Sequence, residues 1–467
     1  MQNVPNSKIL SESCKIINIP IKHFVIYLSL MAATGIICNL YWSGAPYISP
    51  DSKAYLEVVE DLKDGSLDTF HERVIGYPLI IILSTIGTIP LKSVFYLQLL
   101  MHFCSVFLIL SILYRFSIPF VLSLVFTIVL LLPHSVAYSA HLVTEIPTQF
   151  FLALFIAGFI YWVLDGKYSM LLVSSISLGY CIITKPTFQL LPFFLGIFLF
   201  IWIMIFSISG IHRNRLRTAG IMMIIIPGII IGSLIIHNHI KFNHAKLSAL
   251  DIGMELTLRT ADYIEDLPED YSEIQDILIY HRDKMLYQTG SKYDAMNYIW
   301  NAIPEIEERT GMDKGEIGDE LLKINLYLIY THPLKFGGTV FKSLISFWKP
   351  IKGTGYIPHI FDITNSILHI FVLSVLIAFT VMISLSLIKC SPEQRKQLLV
   401  TTDNNRLMPL IISIIIFILL YTWIVSSTIG LGLPRYRFPV DILILFMIIL
   451  EYDILKRFRR IIKTLPH

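Results

Sequence analysis

Charge is scarce in this chain of 467 residues. Aspartate, glutamate, lysine and arginine together make up 15% of it, against 55% for hydrophobic residues, and the mean hydropathy is +0.67. This composition excludes an ordinary soluble enzyme, because apolar runs of about 20 residues, enough to cross ~30 Å of hydrocarbon, recur along the chain. The net charge of +3 says little by itself, since the placement of lysine and arginine matters more than their sum.

Cysteines, a cleavable leader and a phosphate loop are also sparse or missing. The five cysteines fall in predicted spans or cytoplasmic segments, which excludes an exported disulfide framework. Residues 1–22 lack a small-residue cleavage site after an apolar core, so the first apolar run is predicted to stay as a span. The absence of a Gly-Xaa-Ser-Xaa-Gly turn and of a glycine-rich phosphate loop argues against covalent serine catalysis and against a cytoplasmic nucleotide-sugar site. No internal repeat of fixed period is visible.

Hydropathy predicts ten membrane-spanning helices, and therefore an all-α polytopic membrane protein. Two further apolar runs, 77–89 and 336–348, are too short to span comfortably and are predicted to be juxtamembrane or re-entrant. The predicted spans are 24–43, 93–114, 118–138, 144–164, 168–184, 187–209, 219–239, 363–388, 407–429 and 436–455.

Lysine and arginine predict the orientation of these spans, because cytoplasmic loops carry an excess of both. If the N-terminus is cytoplasmic, alternation places every strongly basic short segment on that same side. We therefore expect both termini in the cytoplasm and a multi-pass protein of the plasma (inner) membrane. The basic segments hold Arg115, Lys167, then Arg213, Arg215 and Arg217, then Lys389, Arg395, Lys396 and Arg406, and finally Lys456, Arg457, Arg459, Arg460 and Lys463.

The same alternation divides the chain into three regions. Residues 1–239 are predicted to form an N-terminal transmembrane catalytic module, which includes the first outer loop, 45–92. Residues 240–362 form the only sizeable extracytoplasmic soluble segment, which ends in an amphipathic stretch, 333–348, typical of helices that lie in the membrane interface. Residues 363–467 hold the C-terminal spans and the basic cytoplasmic tail.

The first outer loop is unusually acidic, with seven acids between Asp51 and Glu72. Asp51 and Ser52, which follow Pro50, are predicted to cap a short helix that Gly65 ends. Most of these acidic residues then lie on the face of the helix that is exposed to water. Asp51 is different because it lies where the first span ends. N-capping alone would explain an aspartate at this position. Only the other charged residues predicted on the same side of the membrane favour a functional role.

These charged residues lie at the outer ends of other spans or, like Arg73, at the end of the loop that carries Asp51. Glu145 begins a span and Lys185 ends one, and a charge facing lipid there would cost a few kcal/mol. Lysine can snorkel to the interface, whereas the short stem of glutamate cannot, so a wet cavity is the better interpretation for Glu145. The other members of this set are Arg73, Arg435 and Arg437.

Six sequence blocks, in family order along most of the chain, resemble the integral-membrane glycosyltransferases of the GT-C class. The similarity is to the bacterial branch related to aminoarabinose transferase and protein O-mannosyltransferases. It implies a GT-C-like fold, a polyprenyl-phosphate (undecaprenyl-phosphate) sugar as donor, chemistry on the non-cytoplasmic face, and an essential aspartate in the first outer loop, here Asp51. The blocks are PDSKAYLEVVEDLKDGSLD, ERVIGYPL, HLVTEIPTQFFLAL, ITKPTFQLLPFFLG, THPLKFGGTVFKSLISFW and LPRYRFPVDILIL.

Two positions depart from the family pattern. Many relatives read Arg-Xaa-Pro-Gly-Tyr-Pro where this chain has Ile75 in place of the first proline, which changes the turn geometry expected there. Lys185 stands where relatives often carry arginine, so a bidentate phosphate fork is exchanged for a point charge.

The chemistry implied by this resemblance assigns roles to the outer-face residues. A phosphate leaving group needs no general acid, but cations must stabilise its developing charge, and an acceptor hydroxyl needs a carboxylate base. Asp51 is the first choice as base and Glu145 the second, as partner, orienting group or metal ligand. A single displacement would invert the anomeric centre. The candidate donor-phosphate ligands are Arg73, Lys185, Arg435 and Arg437, and the candidate substrate-binding residues are Tyr55, Tyr77, His141 and Tyr436.

No metal is required by this chemistry, although Asp51 and Glu145 are compatible with a shared divalent cation, Mg²⁺ or Mn²⁺. His237 and His239, at the end of a span, are interpreted as interfacial residues and not as zinc ligands. The aromatic and acidic soluble segment is predicted to recognise the acceptor, a cell-envelope glycan, lipopolysaccharide or protein. Packing of small helices on the membrane region explains each of its aromatic residues equally well.

A transporter or flippase for lipid-linked sugars is the main alternative. It fits ten spans with charged ends, but transporters tend to place ionisable groups near the midplane, often in repeated halves. A polymerase or ligase that uses pyrophosphate-linked oligosaccharides is a third interpretation, against which only the Pro-Asp block of the first loop argues. No nucleic-acid partner is expected.

Overall fold

The structure is a computed structural model. It describes residues 19–42, 46–65, 73–85, 91–205, 210–248, 251–290, 298–350, 359–389 and 408–464. Two predicted cytoplasmic segments, residues 1–18 and the basic loop within 390–407, lie outside the described residues.

The described chain is built from helices joined by loops and 3₁₀ turns. The α-helices are α1 (Ile21–Trp42), α2 (Pro50–Asp64), α3 (Gly76–Ser84), α4 (Lys92–Arg115), α5 (Phe120–Leu130), α6 (Pro133–Val136), α7 (Glu145–Asp165), α8 (Tyr168–Thr184), α9 (Leu191–Ile205), α10 (Gly210–Phe242), α11 (Asp251–Thr260), α12 (Ser272–Thr289), α13 (Ile299–Thr310), α14 (Lys314–Thr331), α15 (Pro333–Phe347), α16 (His359–Lys389), α17 (Met408–Thr428) and α18 (Phe438–Thr464). The 3₁₀ turns are Ala137–Ala140, Pro186–Phe188, Ala261–Asp266, Glu269–Tyr271 and Pro434–Tyr436.

The protein is an all-α, multi-pass membrane protein, as predicted. Helices account for 87% of the described residues, and no β-strand occurs in that part of the chain. Helical structure is expected for a chain that crosses a lipid bilayer, because an α-helix satisfies its backbone hydrogen bonds within its own segment.

Seven described helices are long and apolar enough to cross a membrane, or eight if one bent pair counts as a single span. The sequence predicts ten, and the difference has three local causes. The predicted span 118–138 is bent by 58° between α5 and the turn that begins at Pro133, where proline lacks an N–H donor. Helix α8 has only 17 residues. Helix α18 carries Asp441, Glu451 and Asp453 along its apolar part.

The membrane bundle is centred on α7. Of its most apolar window, 78% is buried inside the protein, against 17% for α1, so α7 is the central helix and α1 lies at the periphery. Leu152, Ile156 and Phe159 of α7 belong to the main hydrophobic core. A Cβ on Gly158 would overlap the Met170 carbonyl oxygen of α8, and this small residue therefore allows the two helices to approach closely.

The segment between α10 and α16 forms a small domain with its own core. Helices α11 to α14 pack around buried residues such as Ile264, Leu278 and Ile303. Arg259 of α11 attaches this domain to the bundle: its Nη1 donates to Ser343 Oγ of α15 at 3.1 Å, and its Nε donates to the Ile429 carbonyl after α17 at 3.2 Å. The small domain is thus fixed over one end of the bundle.

Helix α2 places Asp51 in its first turn. The helix begins at Pro50 with Ser49 as its N-cap, and Ser52 Oγ accepts the backbone N–H of Ser49 at 2.8 Å. The prediction that Asp51 caps the helix is therefore wrong, because the N-cap is Ser49 and the helix starts two residues earlier than an Asp51 cap requires. Gly65 ends the helix with φ at 72°, as predicted. Since capping does not use Asp51, its carboxylate is available for other contacts.

Candidate active site

Asp51, Arg73 and Arg435 meet at one end of the helix bundle. Arg435 Nη1 donates to Asp51 Oδ2 at 2.9 Å, and Arg73 Nη2 lies 3.9 Å from Asp51 Oδ1. Their side chains keep 29% (Asp51), 23% (Arg73) and 39% (Arg435) of their exposure, so this cluster is open to a ligand. The structure thus joins three predicted residues from two loops: Asp51 and Arg73 belong to the first, and 384 positions separate Asp51 from Arg435.

Backbone pairing fixes the loop that carries Asp51. The Tyr47 N–H donates to the Ala140 carbonyl at 2.6 Å, and the Leu142 N–H donates to the Tyr47 carbonyl at 3.0 Å. Ser52, which is fully buried, donates its hydroxyl to the Leu142 carbonyl at 2.8 Å. The first outer loop is therefore held against the residues that precede α7, and Asp51 is held with it.

A buried ion pair lies beside this cluster. Lys185 Nζ is 3.3 Å from Glu145 Oε1, and the two side chains are only 8% and 4% exposed. The pair joins the start of α7 to the end of α8, and Lys185 Nζ also lies 4.9 Å from the ring centroid of Tyr436. Glu145 Oε2 is buried and has no hydrogen-bond partner in the described part of the chain. A buried carboxylate oxygen without a partner costs free energy, and such atoms are typical of functional positions.

The charges of the site favour an ionised Asp51. Burial opposes ionisation of this carboxyl, but the positive charges of Arg435, Arg73 and Lys185 outweigh burial and hold its pKa below the ordinary value. Lys185 shows the opposite balance: burial lowers its pKa, and the negative charge of Glu145 only partly restores it. The site as a whole presents more cationic than anionic groups, which suits an anionic ligand.

Aromatic rings flank the cations. The guanidinium of Arg73 lies 5.6 Å from the ring centroid of Tyr55, and that of Arg435 lies 5.5 Å from Tyr436. Tyr77 packs edge-on against Tyr55 at 5.1 Å and is fully buried, with its hydroxyl donating to the side chain of Gln98. Tyr436, which is half-buried, is therefore placed to touch a ligand on Arg435, whereas Tyr55 and Tyr77 both belong to a buried hydrophobic cluster beside Arg73.

His141 is a packing residue of the loop before α7. It is 6% exposed, and its ring lies 5.3 Å from that of Tyr47 and 5.9 Å from that of Tyr138. Its backbone carbonyl accepts a hydrogen bond from the Gln98 side chain at 2.9 Å. The structure thus places this predicted substrate-binding residue in the wall behind the site.

Arg437 is directed away from the cluster. Its Nε donates to Asp441 Oδ1 at 2.8 Å, its Nη1 donates to the Phe347 and Lys349 carbonyls at 2.6 and 3.0 Å, and the side chain is 1% exposed. Arg435 lies in the 3₁₀ turn Pro434–Tyr436, where residues two apart are separated by about 240° around the axis, so Arg435 and Arg437 point to different sides. Arg437 joins α18 to the end of α15 and is not brought together with Asp51.

No protein-family model matches this sequence, and a search of curated proteins finds no match either.

Two residues of the small domain also bear on this site. Trp300 of α13 lies with its ring centroid 4.8 Å from the Arg73 guanidinium. The sequence predicts aromatic residues of this segment, Trp300 among them, to suit stacking on sugar rings without preferring any one, and packing explains each of them equally well. Glu255 of α11 is partly buried, and burial raises the pKa of its carboxyl, an effect that Arg435 and Arg73 only partly offset. No sequence pattern indicates Glu255, because an acid in a polar helical segment is typical of a solvated surface.

The described side chains do not fit a divalent cation. No group of three histidine, cysteine, aspartate or glutamate residues within the described ranges is arranged to hold a metal ion. Asp51 is bound to guanidinium groups and Glu145 to an ammonium, so each carboxylate already has a cationic partner. The suggestion of a shared cation therefore finds no support in the ligands, and no chemical step is assigned to one.

Gly432 shapes the loop that carries Arg435. Its φ is +60°, and a Cβ there would overlap the Ser343 carbonyl oxygen. We expect Gly432→Ala to move this loop, to cost about 1–3 kcal/mol of stability, and to lower activity. Gly337→Ala on α15 is the matched control, because its Cβ would meet no atom and its backbone is helical. Thermal unfolding of both variants in detergent checks this, and equal melting temperatures would contradict it.

Proposed function

We propose that this protein is a glycosyltransferase of the GT-C type, which moves a sugar from a polyprenyl-phosphate donor to an acceptor outside the cytoplasm. The observation that carries the proposal is the Asp51 cluster, in which one carboxylate contacts two guanidinium groups at one end of the bundle. The planar guanidinium fork of arginine suits phosphate best, and Arg435 and Arg73 are both partly exposed. The motif resemblance drawn from the sequence supports the same donor class.

The side of the membrane is proposed from charge and geometry together. Asp51 and Arg73 follow α1, and Arg435 lies between α17 and α18. The neighbouring ion pair, Glu145 and Lys185, lies at the start of α7 and after α8. Arg115 is the last residue of α4 and Asp165 is the last residue of α7, and the two form an ion pair at the other end of the bundle. The excess of lysine and arginine in the other loops assigns that second end to the cytoplasm. The Asp51 cluster then faces the extracytoplasmic side, where lipid-linked sugars are used.

The residues divide the work of such a transfer between donor and acceptor. Arg435 and Arg73 bind the phosphate of the donor and stabilise the second negative charge that it gains as the anomeric C–O bond breaks. Lys185, held by Glu145, adds a third positive charge beside the Tyr436 ring. The acceptor oxygen attacks the anomeric carbon from the opposite side in one displacement, which inverts its configuration. A carboxylate takes the acceptor proton.

Mass spectrometry of cell-envelope glycans, with and without the gene, tests this function. We expect one envelope glycan, lipid or protein to lose a sugar mass in the deletion strain and to regain it with the wild-type gene. Purified protein should then transfer that sugar from undecaprenyl phosphate in detergent. A flippase would instead change the sidedness of the lipid-linked sugar and show no transfer by the purified protein, and that result would replace the glycosyltransferase proposal.

A further inference from the structure

We propose that Trp300, supplied by the small domain, is a positioning residue for Arg73, and that the small domain thereby completes the binding site for the phosphate of a polyprenyl lipid. This inference deepens the proposed function, on whose polyprenyl-phosphate donor it rests. The donor site is then built from two parts of the protein, the membrane bundle and helix α13.

Trp300 lies on the outward face of α13. The side chain keeps 38% of its exposure, and Glu307, seven positions later on the same side of the helix, is exposed as well. The residues of α13 that belong to the core of the small domain are Ile299, Ala302, Ile303 and Ile306. The indole therefore contributes little to that core, and its position is explained by what it contacts outside the domain.

The contact of Trp300 is with Arg73, in the loop that follows α1. The guanidinium carbon of Arg73 lies 4.8 Å from the ring centroid of Trp300 and 5.6 Å from that of Tyr55. A cation within about 6 Å of an aromatic centroid is attracted to the ring, and tryptophan attracts it most strongly. Trp300 is thus the stronger of these two aromatic partners of Arg73.

Arg73 needs such a partner more than Arg435 does. Arg435 Nη1 donates a hydrogen bond to Asp51 Oδ2 at 2.9 Å, whereas Arg73 Nη2 lies 3.9 Å from Asp51 Oδ1, beyond hydrogen-bond length. A partly exposed ion pair at that distance fixes the direction of a guanidinium weakly. An aromatic ring adds attraction without adding negative charge, so the positive charge of Arg73 remains available to a phosphate.

The position of Trp300 is fixed by contacts within and below the small domain. Tyr298, two residues earlier and fully buried, donates its hydroxyl to the Thr257 carbonyl of α11 at 3.4 Å. Arg259, also on α11, bonds to α15 and to the carbonyl of Ile429 after α17. A side chain held in this way is organised before the ligand arrives, which lowers the cost of binding.

The Kd for undecaprenyl phosphate, measured with the full-length protein in detergent, tests this inference. We expect Trp300→Ala to raise this Kd by about 2- to 30-fold, the range that one cation–π contact supplies. Trp300→Phe should lie between the wild type and Trp300→Ala, because a phenyl ring attracts a cation less than an indole does. If Trp300→Ala does not fold, Trp300→Phe provides the same comparison.

Tryptophan fluorescence gives a second measurement. Trp300 is the only tryptophan between residues 240 and 347. Binding of undecaprenyl phosphate at Arg73 changes the charge beside the indole, so the emission of the wild type should change on binding. Trp300→Phe should lose most of that change, and an unchanged emission response would reject the inference.

A double-mutant comparison shows whether Trp300 acts through Arg73. In an Arg73→Ala background, Trp300→Ala should change the Kd by less than about 2-fold, because two residues that act as one unit are not additive. In an Arg435→Ala background it should keep its full effect. Equal effects of Trp300→Ala with and without Arg73 would reject the positioning role.

Controls separate this inference from the proposed function. Tyr287→Ala, which removes an exposed aromatic ring from the last turn of α12, should keep the wild-type Kd, and thermal unfolding shows whether each variant is folded. An unchanged Kd in folded Trp300→Ala rejects the inference alone. If the wild type binds undecaprenyl phosphate with this dependence on Trp300 but transfers no sugar, the glycosyltransferase proposal fails and the role of Trp300 stands. If the wild type does not bind undecaprenyl phosphate, both are rejected.

Discussion

Asp51→Asn should abolish sugar transfer and leave the protein folded. Asparagine keeps the shape of the side chain but not its charge, so Arg435 and Arg73 lose the anion that holds both of them at the phosphate position. Loss of one organised electrostatic contact of this kind typically costs about 100- to 1,000-fold in rate. The start of α2 is unaffected, because Ser49 and Ser52 provide the capping contacts.

Measurements of stability and of donor binding distinguish a loss of catalysis from a loss of folded protein. The ion pairs of Asp51 are partly exposed, so their removal should change the free energy of unfolding by less than about 1 kcal/mol. Affinity for undecaprenyl phosphate should fall, since the two guanidinium groups are no longer held together. Asp64→Asn, an exposed acid at the other end of α2, is the matched control and should have wild-type activity. Asp51→Asn transferring sugar at the wild-type rate would remove this carboxylate from the site.

The transmembrane helices could be predicted from the sequence because each depends on the hydropathy of its own segment. An apolar run such as 407–429 has few alternatives to a spanning helix, and α17 (Met408–Thr428) follows it closely. The bend before Pro133 was less accessible, since hydropathy alone predicts one straight span across 118–138. The cap of α2 was misassigned by two residues because serine and aspartate are both good caps, and only the backbone shows which one is used.

Two residues of the site could be predicted from the cost of charge at the end of a span, whereas Asp51, Arg73 and Arg435 were predicted from their place on outer loops and from the motif resemblance. That cost singled out Glu145 and Lys185, which the structure joins in a buried pair. Charge alone did not distinguish Arg435 from Arg437, because their separation depends on the direction of each side chain in a short 3₁₀ turn. Trp300 contacts Arg73 only because the small domain is docked on the bundle through Arg259, and this tertiary contact cannot be predicted from a local sequence pattern.

Arg437→Ala should destabilise the protein strongly, in contrast to Arg435→Ala. The Arg437 guanidinium is buried and bonds to Asp441 and to two backbone carbonyls at the end of α15. Its removal leaves these acceptors without their donor, and breaking a buried ion pair from one side typically costs about 3–5 kcal/mol. We expect a clear fall in the melting temperature and loss of activity through loss of folded protein.

Arg435→Ala provides the internal comparison two residues earlier. Its side chain is 39% exposed, so its removal should change the melting temperature little while weakening the binding of undecaprenyl phosphate. Arg437→Lys should remain below wild-type stability, because an ammonium cannot bond to Asp441 and both carbonyls with the same planar geometry. If Arg437→Ala instead kept its melting temperature and lost donor affinity, Arg437 would belong with Arg435 at the phosphate, and α18 would have to turn on binding to bring it there.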